Sequence, residues 1–153
     1  MVPTIVLVRH GRTSANDRGV LAGRSPGVTL DEVGQEQATS LAARLAAVPF
    51  ATIVASPLER TRQTAAHIHA QQQENSSEVI VDERFIECDY GTWTGQSLAA
   101  LAKKPLWKQV QSHPSAVTFP DGESLMAMSM RAESAIREWN QQMSESDVLA
   151  VVS

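Results

Sequence analysis

Arg9-His10-Gly11 stands directly after the apolar run Thr4 to Val8, and Ser56-Pro57 directly after a second one, Ala51 to Ala55. An imidazole beside guanidinium groups, delivered by the end of a short strand, suits the handling of an anion. The arginine distribution agrees: Arg9, Arg12, Arg18 and Arg24 face one acid, Asp17, in the first 30 residues, and of 13 basic residues only Lys103, Lys104 and Lys108 are lysines. Arginine's planar fork fits phosphate and carboxylate better than lysine's point charge does. A histidine after a strand, taken alone, is more often structural than catalytic, and scattered arginines more often solvate a surface.

The elements that must position these groups alternate. Thr4 to Val8 is β-branched and apolar between Pro3 and the Arg-His-Gly turn, and reads as a strand buried on both faces. Thr29-Leu30-Asp31-Glu32 supplies a capping box for a helix carried by Val33, Ala38, Leu41, Ala42 and Leu45 up to Pro49. Ala51 to Ala55 is a second strand, and Ser56-Pro57 opens a helix to about Ala70. Gln71 to Ser77 is a polar loop and Val79 to Val81 a third strand. Leu98 to Gln111, interrupted near Pro105, and Leu125 to Met143 are expected helices, and Asp147 to Val152 is a last strand. The alternation implies one α/β domain, a three-layer α/β/α sandwich with a mostly parallel sheet. Ligands in such sheets sit beyond the carboxyl ends of the strands, which is where Arg9-His10-Gly11 and Ser56-Pro57 lie.

Three ordered blocks carry a resemblance. Leu7-Val8-Arg9-His10-Gly11-Arg12-Thr13 with Asn16 resembles the signature of the histidine phosphatase (phosphoglycerate-mutase-like) superfamily. Ser56-Pro57-Leu58-Glu59-Arg60-Thr61-Arg62-Gln63-Thr64-Ala65 resembles its next block, and Arg84-Phe85-Ile86-Glu87-Cys88-Asp89-Tyr90-Gly91 with Trp93 and Gly95 its third. Gly34, Gln37 and the run Pro120 to Ser124 extend the likeness over nearly the whole chain, nearest to an actinobacterial phosphomutase-like group.

The resemblance implies a phosphoglycerate-mutase-like fold and a metal-independent phosphatase without cofactor, acting on a small phosphorylated metabolite. His10 would be the nucleophile, forming a phosphohistidine that splits one hard displacement into two easier ones. Arg9 and Arg60 would hold the nonbridging oxygens through charge-assisted hydrogen bonds, with Asn16 and Thr13 assisting. Glu87 would protonate the leaving oxygen and then activate water. Arg12, where the family commonly has glutamate or glutamine, is expected to face solvent, and Arg62 to be structural. The alternatives are a phosphoglycerate-type phosphomutase, for which residues 92 to 120 look short and poor in basic residues, and a non-catalytic module that binds phosphoesters without turnover.

Other chemistries fall away. Six positions after Cys88 stands Thr94 rather than arginine, so the cysteine-phosphatase loop is missing, and there is neither a P-loop nor an Asp-x-Asp pair. His67 and His69, two apart on an expected helix, make a poor metal pair, so no metal is implied. A formal net charge of −4 gives no reason to expect nucleic acid. The longest apolar runs are far below the ~20 residues that span a bilayer, so no membrane partner is expected. One cysteine, Cys88, fits a reducing compartment, and a cytoplasmic location is expected. Substrate identity is not legible, and a homodimer is left open. The family's second pocket histidine belongs at the end of a late strand, where this chain reads Val151-Val152-Ser153. The expectation is therefore a domain lacking its C-terminal part, or else a relative without that histidine, with an apolar patch exposed beside the last strand.

Overall fold

The computed structural model describes residues 3–72 and 78–153. The elements follow in the order β1 (Thr4–Val8), α1 (Ser14–Asp17), α2 (Glu32–Leu45), β2 (Phe50–Ala55), α3 (Glu59–Ala70), β3 (Ile80–Val81), α4 (Leu98–Leu101), α5 (Pro105–Ser112), α6 (Leu125–Gln142) and β4 (Val148–Val152). The strands pair in parallel in the order β1-β4-β2-β3. Strand β4, last in the chain, is thus central. Its Leu149, Ala150, Val151 and Val152 are all buried, as an almost wholly apolar strand requires when both faces are covered.

Alternation along the strands sends side chains to two layers. Val8, Ile53, Ala55, Ala150 and Val152 pack on one face with Ala42 of α2 and Ala65 and Ile68 of α3. Val54, Leu149 and Val151 pack on the other face with Phe85 and with Ala135 of α6. A third cluster, Cys88, Trp93, Leu101, Val117 and Phe119, gathers the irregular stretch between β3 and α6 around α4 and α5. The fold class is the expected α/β/α sandwich.

Local departures have physical causes. Strand β1 is not buried on both faces: it is a sheet edge with β4 on one side only, and Leu7 is 68% exposed. The third strand shortens to Ile80–Val81 and forms the other edge. Helix α2 is capped by Asp31, whose carboxylate accepts from the Gly34 N–H at 2.8 Å, rather than by Thr29, because the chain is still extended at Asp31. The helix expected from Ser56-Pro57 begins at Glu59, with Ser56 continuing the ladder through a bond from its N–H to the Val152 carbonyl. The stretch after Leu98 divides into α4 and α5, with Pro105 in the first turn of α5, where its missing N–H costs nothing. The polar loop over Gln71 to Ser77 falls largely outside the described residues.

Candidate active site

All four strands run toward one edge, and the residues just past their ends form the site. The ladder carries past the strands there: the His10 N–H donates to the Ser153 carbonyl and the Ser153 N–H to the Val8 carbonyl, both at 3.0 Å. His10 is thereby fixed on rigid backbone. The turn beyond it is pinned from α3, where the Thr64 hydroxyl accepts from the Gly11 N–H.

The imidazole has both nitrogens engaged. Nδ1 lies 2.7 Å from the Gly11 carbonyl, which can only accept, so Nδ1 carries the hydrogen. Nε2 then presents its lone pair to the Arg60 Nε–H at 3.2 Å. Burial, reinforced by the Arg60 and Arg9 charges, pushes the His10 imidazole below its ordinary value, against the opposing pull of the Gly11 carbonyl and Glu87. A neutral ring with its free electron pair on Nε2 is a nucleophile's state.

Arg60 is 3% exposed, on the first turn of α3. Its Nη2 donates to the Gly23 carbonyl at 2.9 Å, while Nη1 is buried without a partner among the described residues. A buried guanidinium nitrogen without an acceptor is costly unless an anion meets it. Beside it lies a cavity of about 200 Å³ whose walls include His10, Arg60, Glu87, Ser56, Met128 and Arg131. His10 and Glu87 also line an adjoining open hollow with Arg9 and Ser153. The Ser56 hydroxyl is buried and likewise without a partner.

The structure therefore brings together His10, Arg60, Glu87 and, at the open side, Arg9. It does not bring Thr13 or Asn16 to the walls of either space. Thr13 is buried as the N-cap of α1, and its hydroxyl accepts from the Asn16 N–H and donates to Asn16 Oδ1, which also accepts the Thr13 N–H. Their hydrogen bonds serve a capping box instead of a ligand. Arg12 is paired with Asp31 and Asp17, and Arg62 is exposed. Ser56, Tyr90, Glu123 and Arg131 escaped sequence reasoning. Arg131 in particular lies mid-helix on α6 with no local motif around it.

A cationic, partly unsatisfied pocket at the carboxyl edge of a parallel sheet defines an anion site of the α/β class. The family model of the histidine phosphatase superfamily (branch 1) matches residues 5–153, and the chain belongs to that family. It is similar to phosphoserine phosphatase 1 of Hydrogenobacter thermophilus, 33% identical over 147 residues, which cover 90% of this chain and 66% of that one. Fructose-2,6-bisphosphatase TIGAR of Xenopus tropicalis is 32% identical over 84% of this chain and 46% of its own. Among solved structures, mycobacterial glucosyl-3-phosphoglycerate phosphatase Rv2419c complexed with VO3 superposes with a TM-score of 0.85 at 25% identity, over 97% of this chain and 74% of that one. The chain thus spans at most about two thirds of these curated relatives. No helix among the described residues is long and apolar enough to cross a membrane, and none of their His, Cys, Asp and Glu side chains form a group of three that could hold a metal.

Proposed function

We propose that this chain carries the phosphoryl-transfer site of a metal-independent phosphatase that hydrolyses a small phosphorylated metabolite through a phosphohistidine on His10. The observation that carries the reading is the geometry of the ring: Nδ1 donates to Gly11 and Nε2 faces Arg60 at 3.2 Å. In the first step the Nε2 lone pair forms a bond to phosphorus as the P–O bond to the alcohol breaks, and the Glu87 carboxyl gives its proton to the leaving oxygen. In the second, water attacks the phosphohistidine, Glu87 takes the water proton, and the P–N bond returns its electrons to Nε2. Arg60 and Arg9 stabilise the charge on the nonbridging oxygens, the part a metal ion plays elsewhere.

The names of the phosphatase relatives support hydrolysis. The buried thiol of Cys88, pushed up to about 12 chiefly by burial, is inert and supports action in the cytoplasm. The wall formed by Ser153 and the unpartnered Ser56 hydroxyl is where, in this reading, a second histidine of a longer chain stands and completes the domain. Brief reaction of the full-length protein with an aryl phosphate, followed by trapping of acid-labile phosphate on His10, tests the mechanism. Full turnover by His10→Ala overturns it. A chelator should leave activity unchanged.

A further inference from the structure

Glu87 lies in a stretch without regular ladder bonds, between the short 3-10 turns Glu83–Phe85 and Gly91–Trp93, so something other than a strand or helix must fix it. The side chain is held at one oxygen only: Oε1 accepts from the Cys88 N–H at 2.8 Å and from the Tyr90 hydroxyl at 3.2 Å. The backbone is gripped from outside. The Glu87 carbonyl accepts from Arg24 Nε at 2.8 Å and from Arg131 Nη2 at 3.2 Å.

These two arginines come from opposite ends of the chain and converge on one carboxylate. Glu123 Oε1 accepts from Arg24 Nη2 at 3.0 Å, from Arg131 Nη2 at 2.7 Å and from the Asp89 N–H at 2.9 Å, and Oε2 accepts from Arg131 Nε at 3.3 Å. Arg131 Nη1 also holds the Arg84 carbonyl at 2.7 Å. One largely buried anion and two cations thus fix the backbone at residues 84, 87 and 89. Charge-assisted bonds of this kind are the strong ones, and the arginine forks add direction to strength.

We infer that Arg24, Glu123 and Arg131 are positioning residues that set the Glu87 carboxyl against the scissile oxygen, and that Glu87 Oε2 is the atom that gives and takes the proton. Oε1 is occupied by two donors, whereas Oε2 has none among the described residues. The inference rests on the phosphatase reading above and adds residues that touch neither His10 nor the phosphoryl group. Its physical basis is the steep cost of misplacement: an acid shifted by about 1 Å loses on the order of 10²-fold in rate.

The test is leaving-group dependence in the full-length protein. Glu123→Gln keeps the shape and removes the charge that holds both arginines. It should lower kcat for an alkyl phosphate by about 10²-fold, the effect of a misplaced general acid, with KM little changed. Turnover of 2,4-dinitrophenyl phosphate, whose leaving group departs without a proton, should fall far less, and Arg131→Lys should show the same bias. Equal losses on both substrates, or no loss on either, overturn the inference. If Glu123→Gln does not fold, Arg24→Lys is read by the same contrast. The phosphatase reading fails separately, when His10→Ala retains turnover of both substrates.

Discussion

The Nε of Arg60 stands 3.2 Å from Nε2 of His10, and the ring's other nitrogen is tied to the Gly11 carbonyl. The guanidinium therefore marks the face of the imidazole from which phosphorus would be approached. It also disfavours protonation of that nitrogen, since a cation and an N–H donor already lie there.

The pH dependence follows from this contact. A protonated Nε2 cannot attack, and the His10 value lies below the ordinary 6.5 of the residue. The acidic limb of kcat/KM should accordingly fall below pH 6.5 and not at it. The same sign holds for stability. Between the ordinary value and the lowered folded one the unfolded chain binds a proton that the folded chain excludes, so His10 erodes stability as pH falls below 6.5. Nitrogen-detected NMR titration of the ring checks both, and a midpoint above 6.5 contradicts the geometry.

Arg60→Lys should be severe. A lysine ammonium cannot reach His10, the Gly23 carbonyl and an anion in the fixed fork that Arg60 presents. Loss of such a preorganised donor costs about 10²- to 10³-fold in turnover. Steady-state kinetics on an aryl phosphate measures it. A variant within a few-fold of the parent enzyme removes Arg60 from the anion site.

Much of this site was legible because strands and their ends announce themselves. Val8-Arg9-His10-Gly11 is an apolar run broken by a turn, and the break fixes which residues meet the carboxyl edge. The helix after Ser56 likewise puts Arg60 on its first turn. What stayed hidden depends on contacts between distant segments. Thr13 and Asn16 looked like anion ligands by type, but at a spacing of three they satisfy each other as a cap. Arg24, Glu123 and Arg131 meet at the Glu87 carbonyl across more than a hundred residues, and no local period reports that. The exposed edge of β1 was hidden as well, since composition shows how apolar a strand is and not how many neighbours it has.

Asp82 should be a stability determinant outside the site. Its carboxylate accepts from Arg84 and from the indole N–H of Trp139 on α6, so it joins the end of β3 to the layer above the sheet. Hydrogen bonds from Arg84 hold it down at about 2, against an ordinary 3.8. A carboxylate lowered in this way contributes stability that is fully present above 3.8 and is lost as pH falls toward 2. Asp82→Ala should cost about 1–3 kcal/mol at neutral pH, from partners left unsatisfied. Urea unfolding of parent and variant should show that difference shrinking below pH 4.

Gly34→Ala offers the sharpest contrast between two physical effects of opposite sign. Inside a helix, alanine normally stabilises relative to glycine by about 0.5–1 kcal/mol. Gly34 lies in the first turns of α2, so propensity alone predicts a more stable protein. Packing predicts the reverse. A Cβ at Gly34 would collide with the backbone carbonyl of Arg12, and a Cβ at Gly11 would meet the Gly34 carbonyl at 2.5 Å, so the helix and the turn after His10 touch backbone to backbone. Neither partner is a flexible side chain that can swing aside. The contact is held on both flanks, by the Asp31 N–H to the Arg12 carbonyl at 3.0 Å and by Arg12 Nε to Asp31 at 2.8 Å. Relief must come from moving α2 or the turn, and overpacking of this kind costs about 1–3 kcal/mol. Because the turn carries His10, the shift should reach the imidazole and lower kcat as well as stability. Thermal unfolding and aryl phosphate kinetics on the same sample decide between the two effects: a higher Tm with unchanged kcat would mean that α2 can step back from the turn and that the close approach does not position the nucleophile.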